Sequence, residues 1–257
     1  MLVAAMTPSQ RQRVLRQHVQ TDALFGVDAV PAGQGAAAAD EATGAAPPAA
    51  ASGGSPAVQL DRQTKLARLK EMDENEVRPC TKCDLCRGRT QTVFGEGDLD
   101  AQLMFVGEGP GQREDELGRP FVGRAGDLLD KQIAAMGFQR EQVFIANIVK
   151  CRPPDNRTPT PDEVRACSPY LQRQIATIGP KVIVALGAPA TKFLLSTTTG
   201  IMKLRGTWHQ YEGLLPDGPT VPVMPTFHPA FLLRQYTTDN RQKVWSDLQQ
   251  VMEVLGE

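Results

Sequence analysis

The sequence predicts an α/β protein, a three-layer α/β/α sandwich around a central, mainly parallel sheet of four strands. Short continuous apolar runs such as "KVIVALG" (181–187) are typical of strands that are buried on both faces. Segments with helical periodicity separate these runs along the chain. Because the helices that connect parallel strands cover both faces of a sheet, the alternation predicts three layers.

Strands are expected where apolar runs end in glycine-rich or polar loops. The first three are 101–109, 142–150 and 181–187, and "TWHQYE" and "VPVMPTFHP" are predicted to be strands joined by a turn at "PDGP". Ligands of open parallel sheets bind beyond the carboxyl ends of the strands. Those ends carry "GEGPG", Asn147 with "KCRPP", "GAPAT" and "FHPA", so a site built from these loops is predicted.

Helices are expected between and after these strands. Apolar residues recur at helical spacing in 60–76, 125–138 and 240–256, and "APATKFLL" is predicted to form a short helix. The segment 160–179 opens with Thr160, a favourable N-cap residue, and closes with glycine.

Composition divides the chain into three parts. Residues 1–31 form an N-terminal extension with room for one short amphipathic helix. Residues 32–58 are almost all Ala, Gly, Pro and Ser, which is typical of a disordered linker. Residues 59–257 are long enough to form one α/β domain with its own core.

Charge and hydropathy limit the class of protein. The chain has 28 basic and 29 acidic residues and a net charge of −1, so contact with nucleic acid must come from local basic patches. No apolar run is long enough to span a membrane, and the N-terminus lacks the pattern of a secretion signal. We therefore expect a cytoplasmic protein with reduced cysteines and no membrane partner.

Cysteine spacing indicates a metal site. Three of the five cysteines lie within seven residues in a polar, basic segment, and the other two flank a proline-rich loop and a helix. Such clustering in a reduced compartment is typical of metal or iron–sulfur ligands. Four thiolates suit zinc or a [4Fe–4S] cluster about equally, and the spacing does not say which cysteine is spare. The five are Cys80, Cys83, Cys86, Cys151 and Cys167.

Several motifs together resemble the family 4 uracil-DNA glycosylases, the iron–sulfur branch of their superfamily. The resemblance covers residues 78–254, and the motifs occur in the family's order. They are "CTKC" (80–83), "GEGPG" (107–111), "GRPFVGRAG" (118–126), "NIVKCRPPDNRTPTPDE" (147–163), Cys167 and "HPAFLLR" (228–234). The resemblance implies a monofunctional DNA repair enzyme that excises uracil and leaves an abasic site, with uracil-containing DNA as its partner.

The resemblance also implies the cofactor, a [4Fe–4S] cluster. Its expected ligands are Cys80, Cys83, Cys151 and Cys167. Cys86 is then a bystander, and a ligand set that includes it is the alternative. The cluster is expected to staple the segment that enters the core to the loop after the second strand. It would also shape the basic surface formed by Lys82, Arg87, Arg89 and Arg152, which would meet DNA phosphates.

Base excision requires a nucleotide that is flipped out of the stack, and the resemblance implies which residues hold it. Phe121 is expected to stack on uracil, and the amide of Asn147 to pair with O4 and N3–H. His228 is expected to donate to O2 and stabilise the developing uracil anion.

The glycine-rich segment is expected to line the same pocket. Gly107 and Gly109 let the backbone approach the flipped nucleotide. Glu108 is expected near uracil C5, where it would obstruct the methyl group of thymine. No aspartate follows the first glycines, and Glu114 is the candidate for activating water.

The DNA itself is expected to meet two further segments. Leu232, Leu233 or Arg234 would wedge into the gap left by the flipped base. Backbone amides of "GAPAT" (187–191) would bind a phosphate.

Two other functions compete with uracil excision. A relative that captures uracil-DNA covalently without turnover would carry a basic loop with a histidine after the second strand, and this chain has none there. A nucleotide-binding or redox iron–sulfur protein would suit "GEGPG", but the third glycine of a dinucleotide loop is missing. We expect a nucleoid-associated monomer, with a disordered N-terminal extension or one that docks a repair or replication partner.

Overall fold

The computed structural model describes residues 60–213 and 220–256. The predicted N-terminal extension (1–31) and linker (32–58) lie outside the described residues. Within the described ranges, no helix combines the length and the apolar character needed to cross a membrane.

A six-stranded sheet forms the centre of the molecule, in the order β1–β3–β2–β4–β6–β5. The four inner strands run parallel, as predicted, and an antiparallel strand extends the sheet at each edge. The strands are β1 (Glu96–Gly97), β2 (Leu103–Gly107), β3 (Phe144–Asn147), β4 (Val182–Leu186), β5 (His209–Tyr211) and β6 (Val221–Thr226).

Eight α-helices occur in the described residues. They are α1 (Arg62–Met72), α2 (Gln112–Leu117), α3 (Arg124–Ala135), α4 (Pro161–Ile178), α5 (Gly187–Leu194), α6 (Ile201–Leu204), α7 (Pro229–Arg234) and α8 (Thr238–Leu255). The described residues also contain four shorter helical turns. Three are 3₁₀ turns, at Asp84–Arg87, Arg140–Gln142 and Pro154–Asn156, and one is a π-helical turn at Asp73–Val77.

Two apolar cores, one on each face of the sheet, confirm the three layers. Alternate residues of β2 point in opposite directions: Met104 and Val106 pack with α1, α4 and α5, whereas Leu103 and Phe105 pack with α3, α7 and α8. Every residue of β2 and β4 is therefore buried, which explains the continuous apolar runs of the sequence.

Local capping signals set the ends of the longest predicted helix. The Thr160 hydroxyl accepts from the Glu163 N–H, and the Glu163 carboxylate accepts from the Thr160 N–H, which is a complete capping box. Gly179 ends the helix in the left-handed region at φ +67°. The sequence did not predict β1, α2 or α6, which are short elements with two to six residues.

A buried ion pair fixes the end of β6, just before the predicted "FHPA" loop. The guanidinium of Arg205 contacts the carboxylate of Asp247, a fully buried residue of α8. The other carboxylate oxygen accepts from the hydroxyl of Thr226, the last residue of β6, at 2.6 Å. This network joins α6, α8 and β6 around one buried carboxylate.

Replacement of Arg205 with alanine should lower the free energy of unfolding by about 3–5 kcal/mol, because the Asp247 carboxylate would remain buried without its cation. Urea denaturation measures the change. Arg165→Ala is the matched control, since Arg165 and Asp162 form a surface pair whose side chains are 77% and 85% exposed; such pairs contribute about 0–1 kcal/mol. Similar losses of unfolding free energy in both variants would show that the Arg205–Asp247 pair stabilises the fold no more than a surface pair does.

Candidate functional site

A pocket of about 670 Å³ opens at the carboxyl ends of the parallel strands, where the sequence predicted a site. Its volume is in the range of small-molecule sites. It brings together most of the predicted base-contacting residues, including Glu108, Gly109, Glu114, Phe121, Asn147, His228 and Arg234. Gly107 ends β2 directly behind it.

Phe121 forms one wall and is held in an unusual backbone conformation. Its φ of +49° lies in the left-handed region, which a phenylalanine rarely adopts. Gly126 permits this, because a Cβ there would lie 1.9 Å from the Phe121 carbonyl oxygen. The ring centroids of Phe121 and His228 are 5.5 Å apart, so the two rings share one end of the pocket.

Asn147 stands at the end of β3 and is 98% buried. Within the described part of the chain its Oδ1 has no hydrogen-bond partner. A Cβ at Gly107 would lie 2.4 Å from this oxygen and 2.6 Å from Cζ of Phe121. Glycine is therefore required at the end of β2 for both side chains to reach their positions.

His228 is the N-cap residue of α7, and its tautomer follows from the cap. The Nδ1 atom accepts a hydrogen bond from the Ala230 N–H at 3.0 Å, so the proton of the neutral ring resides on Nε2. Burial, with a smaller contribution from Arg234, lowers the pKa of His228 to about 4. Gly187, at φ +85°, leaves room for the His228 side chain, 2.9 Å from where a Cβ would lie.

Glu108 follows β2 and faces the loop after β3. Burial raises the pKa of its carboxyl group, and a hydrogen bond from Thr158 opposes the rise. Its neighbour Gly109 also lacks space for a side chain, since a Cβ would lie 2.8 Å from Cγ2 of Val149.

Glu114, the candidate for activating water, uses one of its two carboxylate oxygens to bind the backbone. Its Oε1 accepts from the N–H groups of Val122 and Gly123, at 2.8 and 2.9 Å. The carboxylate therefore anchors the segment that carries Phe121 and leads into α3. The adjacent Asp115 accepts two hydrogen bonds from the Thr90 N–H, so α2 is tied to the segment after the first three cysteines.

The three wedge candidates on α7 do not share one face. Leu232 is 99% buried in the core below α7 and does not reach the pocket. Leu233 is partly exposed, and Arg234 is exposed and lines the pocket. Successive side chains of a helix point in different directions, so three neighbours on α7 cannot all face DNA.

The structure adds pocket residues that the sequence did not single out. Phe231 and Met202 line the mouth, and Met202 is 65% exposed. The loop 153–159 forms another side, with Asp155 and Asn156 at positive φ. A run of two prolines and polar residues predicted a loop there, but only the fold shows that it turns back over the strand ends.

All five cysteines line a second cavity, on the face of the sheet that carries α1 and α4. Cys151 and Cys167 are buried, and Cys80, Cys83 and Cys86 are partly exposed. No three His, Cys, Asp or Glu side chains in 60–213 and 220–256 are arranged to hold a metal ion.

Hydrogen-bond donors point at the buried sulfurs of this cavity. Arg89 donates to Sγ of Cys151 at 3.2 Å, and the Lys150 N–H donates to Sγ of Cys167 at 3.2 Å. Burial raises the pKa of Cys167 to about 12 and also raises that of Cys151 and Cys83. These thiols would have to release protons to become ligands, which a bound metal promotes.

Known proteins resemble the chain over most of its length. The family model described as "Uracil DNA glycosylase superfamily" matches residues 94–249. The type-4 uracil-DNA glycosylase of Thermotoga maritima is 48% identical over 182 residues, which are 70% of this chain and 92% of that protein. The type-4 enzymes of Sulfurisphaera tokodaii and Archaeoglobus fulgidus are 46% and 42% identical, over 84% and 95% of their lengths and 74% and 73% of this chain.

An NMR titration of His228 should give a midpoint near pH 4, because burial and the charge of Arg234 disfavour the imidazolium. An unfolded histidine takes up its proton near pH 6.5, so the unfolded chain binds this proton first. The free energy of unfolding should therefore fall as the pH is lowered from about 6.5 to about 4. Arg234→Gln should raise the midpoint, and a native midpoint at or above 6.5 would contradict the burial argument.

Proposed function

Since this chain belongs to the uracil-DNA glycosylase superfamily, we propose that it hydrolyses the N-glycosidic bond of deoxyuridine in DNA and leaves an abasic site. The observation that carries the proposal is the Oδ1 of Asn147, which has no hydrogen-bond partner among the described residues and is buried at the end of a pocket that Phe121 and His228 also line. The three relatives reported above are type-4 uracil-DNA glycosylases, which agrees with it.

Asn147 would read the base. An amide offers an acceptor and a donor side by side, which match the N3–H and O4 of uracil. Cytosine presents an acceptor at N3 and an amino group instead, so both contacts would be mismatched. An acceptor left unpaired in a protein interior costs about 1–3 kcal/mol, and uracil would satisfy it.

Phe121 and Glu108 would select the base by shape. The phenyl ring would stack on the flipped base, and its strained backbone is held in place before the substrate arrives. Glu108 would stand at the C5 edge, where the methyl group of thymine would collide with it. Gly107 and Gly109 keep the floor of the pocket free of side chains.

His228 would stabilise the leaving group. Because its Nδ1 is an acceptor in the cap of α7, the neutral ring has its proton on Nε2 and can donate to uracil O2. Negative charge develops on that oxygen as the glycosidic bond breaks. A donor held in position for this charge stabilises the transition state more than the substrate.

Glu114 has two roles to separate. Its Oε1 holds the Phe121 segment, and Oε2 is the atom left to orient a water molecule. A reaction through an oxocarbenium-like sugar needs little help from a base. Glu114 would therefore contribute to the excision rate through its anchoring role alone.

Contacts to DNA would come from α7 and α5. Leu233 and Arg234 remain the candidates for the gap left by the flipped base, since Leu232 is in the core. The first residues of α5, Gly187, Ala188 and Pro189, line the pocket, and the backbone N–H groups of Gly187 and Ala188 would bind a phosphate.

Cys80, Cys83, Cys151 and Cys167 would hold a [4Fe–4S] cluster. All four thiols line one cavity, and four thiolates are the ligand set of such a cluster. N–H groups aimed at two of the sulfurs suit thiolate ligands. When bound, the cluster would cross-link the segment before β1, the loop after β3 and α4, and we assign it no step in the hydrolysis.

Purified protein with its iron should release uracil from an oligonucleotide that contains one deoxyuridine, without a strand break before alkali. His228→Ala should lower the single-turnover rate by about 100- to 1000-fold, because a preorganised donor to the departing base is lost. His209→Ala is the matched control, since His209 lies on the edge strand β5 and contacts Thr207 and the Leu204 carbonyl.

Three results would contradict this assignment. They are no uracil release by the native protein, equal activity of His228→Ala and native protein, or a DNA adduct that survives a denaturing gel. The last of these would indicate covalent capture.

The two roles of Glu114 can be separated with Glu114→Gln and Glu114→Ala. Glutamine keeps an acceptor for the N–H groups of Val122 and Gly123 but removes the charge. If the side chain mainly anchors, Gln should retain most of the single-turnover rate and Ala should lose about 10- to 100-fold. Equal large losses in both variants, with unchanged unfolding by urea, would assign Glu114 to water activation instead.

A further inference from the structure

Lys150 is a buried ammonium group that uracil hydrolysis does not explain. Its side chain is 99% buried, and its Nζ donates to the Asn147 carbonyl at 2.9 Å and to Oε1 of Gln174 at 2.6 Å. Both acceptors are neutral. Among the described residues it forms no ion pair.

A buried cation without a counter-charge is costly. Desolvation of an ion in a protein interior costs several kcal/mol, and neutral hydrogen-bond acceptors recover only part of this. Two negative groups lie close enough to act on it: Cys167 when ionised, which has the larger effect, and Asp73, which already pairs with Arg78. Lys150 lines the cavity that the five cysteines share, and its own N–H donates to Sγ of Cys167.

Arg89 occupies the other side of the same cavity. Its guanidinium donates to Sγ of Cys151 and to the Cys80 carbonyl. An iron–sulfur cluster with four thiolate ligands carries a net negative charge. Lys150 and Arg89 would then be counter-charges placed next to the two buried ligands, and Lys82 is a third cation on the lining of the cavity.

Lys150 also touches the base-reading residue. The segment 147–151 begins with Asn147 and ends with Cys151, and Nζ of Lys150 bonds to the carbonyl of Asn147 within it. Lys150 thus lines the cysteine cavity, and its ammonium group holds the backbone from which the base-reading amide projects.

We propose that Lys150 is a positioning residue: its ammonium group is the counter-charge of the iron–sulfur cluster and fixes the Asn147 backbone in the uracil pocket. The first part rests on the cluster proposed above, and the second part rests on the proposed uracil excision. The cluster would then stabilise the Lys150 ammonium group, which also holds the Asn147 backbone. In this way a structural cofactor would influence substrate recognition.

The first experiment compares Lys150→Met with native protein by iron and sulfide analysis and by voltammetry of the cluster. Methionine keeps the length of the side chain and removes the charge. Because a nearby cation favours the more reduced, more negative cluster, its loss should move the midpoint potential to more negative values. Uracil release should fall by about 10- to 100-fold, as is typical when a supporting contact to a site is removed.

Lys65→Met is the matched control. Nζ of Lys65 likewise tethers backbone, since it donates to the carbonyls of Leu99 and Ile178, but it pairs with Asp100 and does not line the cysteine cavity. This variant should leave the potential and the excision rate unchanged, so any general effect of losing a tethering lysine is measured separately.

Gln174→Glu separates the two roles and covers the case in which Lys150→Met does not fold. A carboxylate at this position would pair with Lys150 and offset its charge, while the bond from Nζ to the Asn147 carbonyl is kept. The potential should then become more negative, as in Lys150→Met, but excision should stay closer to the native rate.

Each result has a separate meaning. Zinc in place of iron, or a potential that neither Lys150→Met nor Gln174→Glu moves, would overturn the counter-charge even if uracil excision is intact. A shifted potential with a native excision rate in Lys150→Met would overturn the tether to Asn147. An absence of uracil release in native, cluster-loaded protein would overturn the proposed function. The counter-charge would then be tested by the midpoint potentials of the cluster alone.

Discussion

The absence of a side chain at Gly107 is the constraint on which the rest of the pocket depends. A Cβ at the end of β2 would collide with the amide oxygen of Asn147 and with the ring of Phe121. Because these two groups come from different loops, one methyl group would displace both. The neighbouring constraints at Gly126 and Gly187 act in the same way, holding open the space for the Phe121 backbone and the His228 side chain.

Local signals made much of the fold predictable. The apolar runs of β2 and β4 are buried on both faces, and α4 begins and ends at the residues that its capping box and terminal glycine indicate. The site followed from the rule that ligands bind at the carboxyl ends of parallel strands. The motif resemblance added which side chains gather there, and Asn147, Phe121 and His228 do share one pocket.

What the sequence could not predict depends on contacts between distant segments. The burial of Leu232 depends on which face of α7 meets the core, and the run "AFLLR" has apolar residues on several faces. The commitment of Glu114 to Val122 and Gly123 depends on how α2 packs beside the next loop. The cysteine spacing left zinc and a cluster open, because spacing along the chain does not fix how far apart the sulfurs lie in the folded protein.

The five-residue segment 147–151 has a consequence for how the chain can vary. Asn147 lines the pocket, Cys151 lines the second cavity, and Lys150 lines the second cavity and donates to the Asn147 carbonyl. One inserted or deleted residue would turn either the amide or the thiol away from its cavity. Substitutions elsewhere can be absorbed by repacking, but the length of this segment is fixed, and any chain that keeps both sites must keep the same number of residues between them.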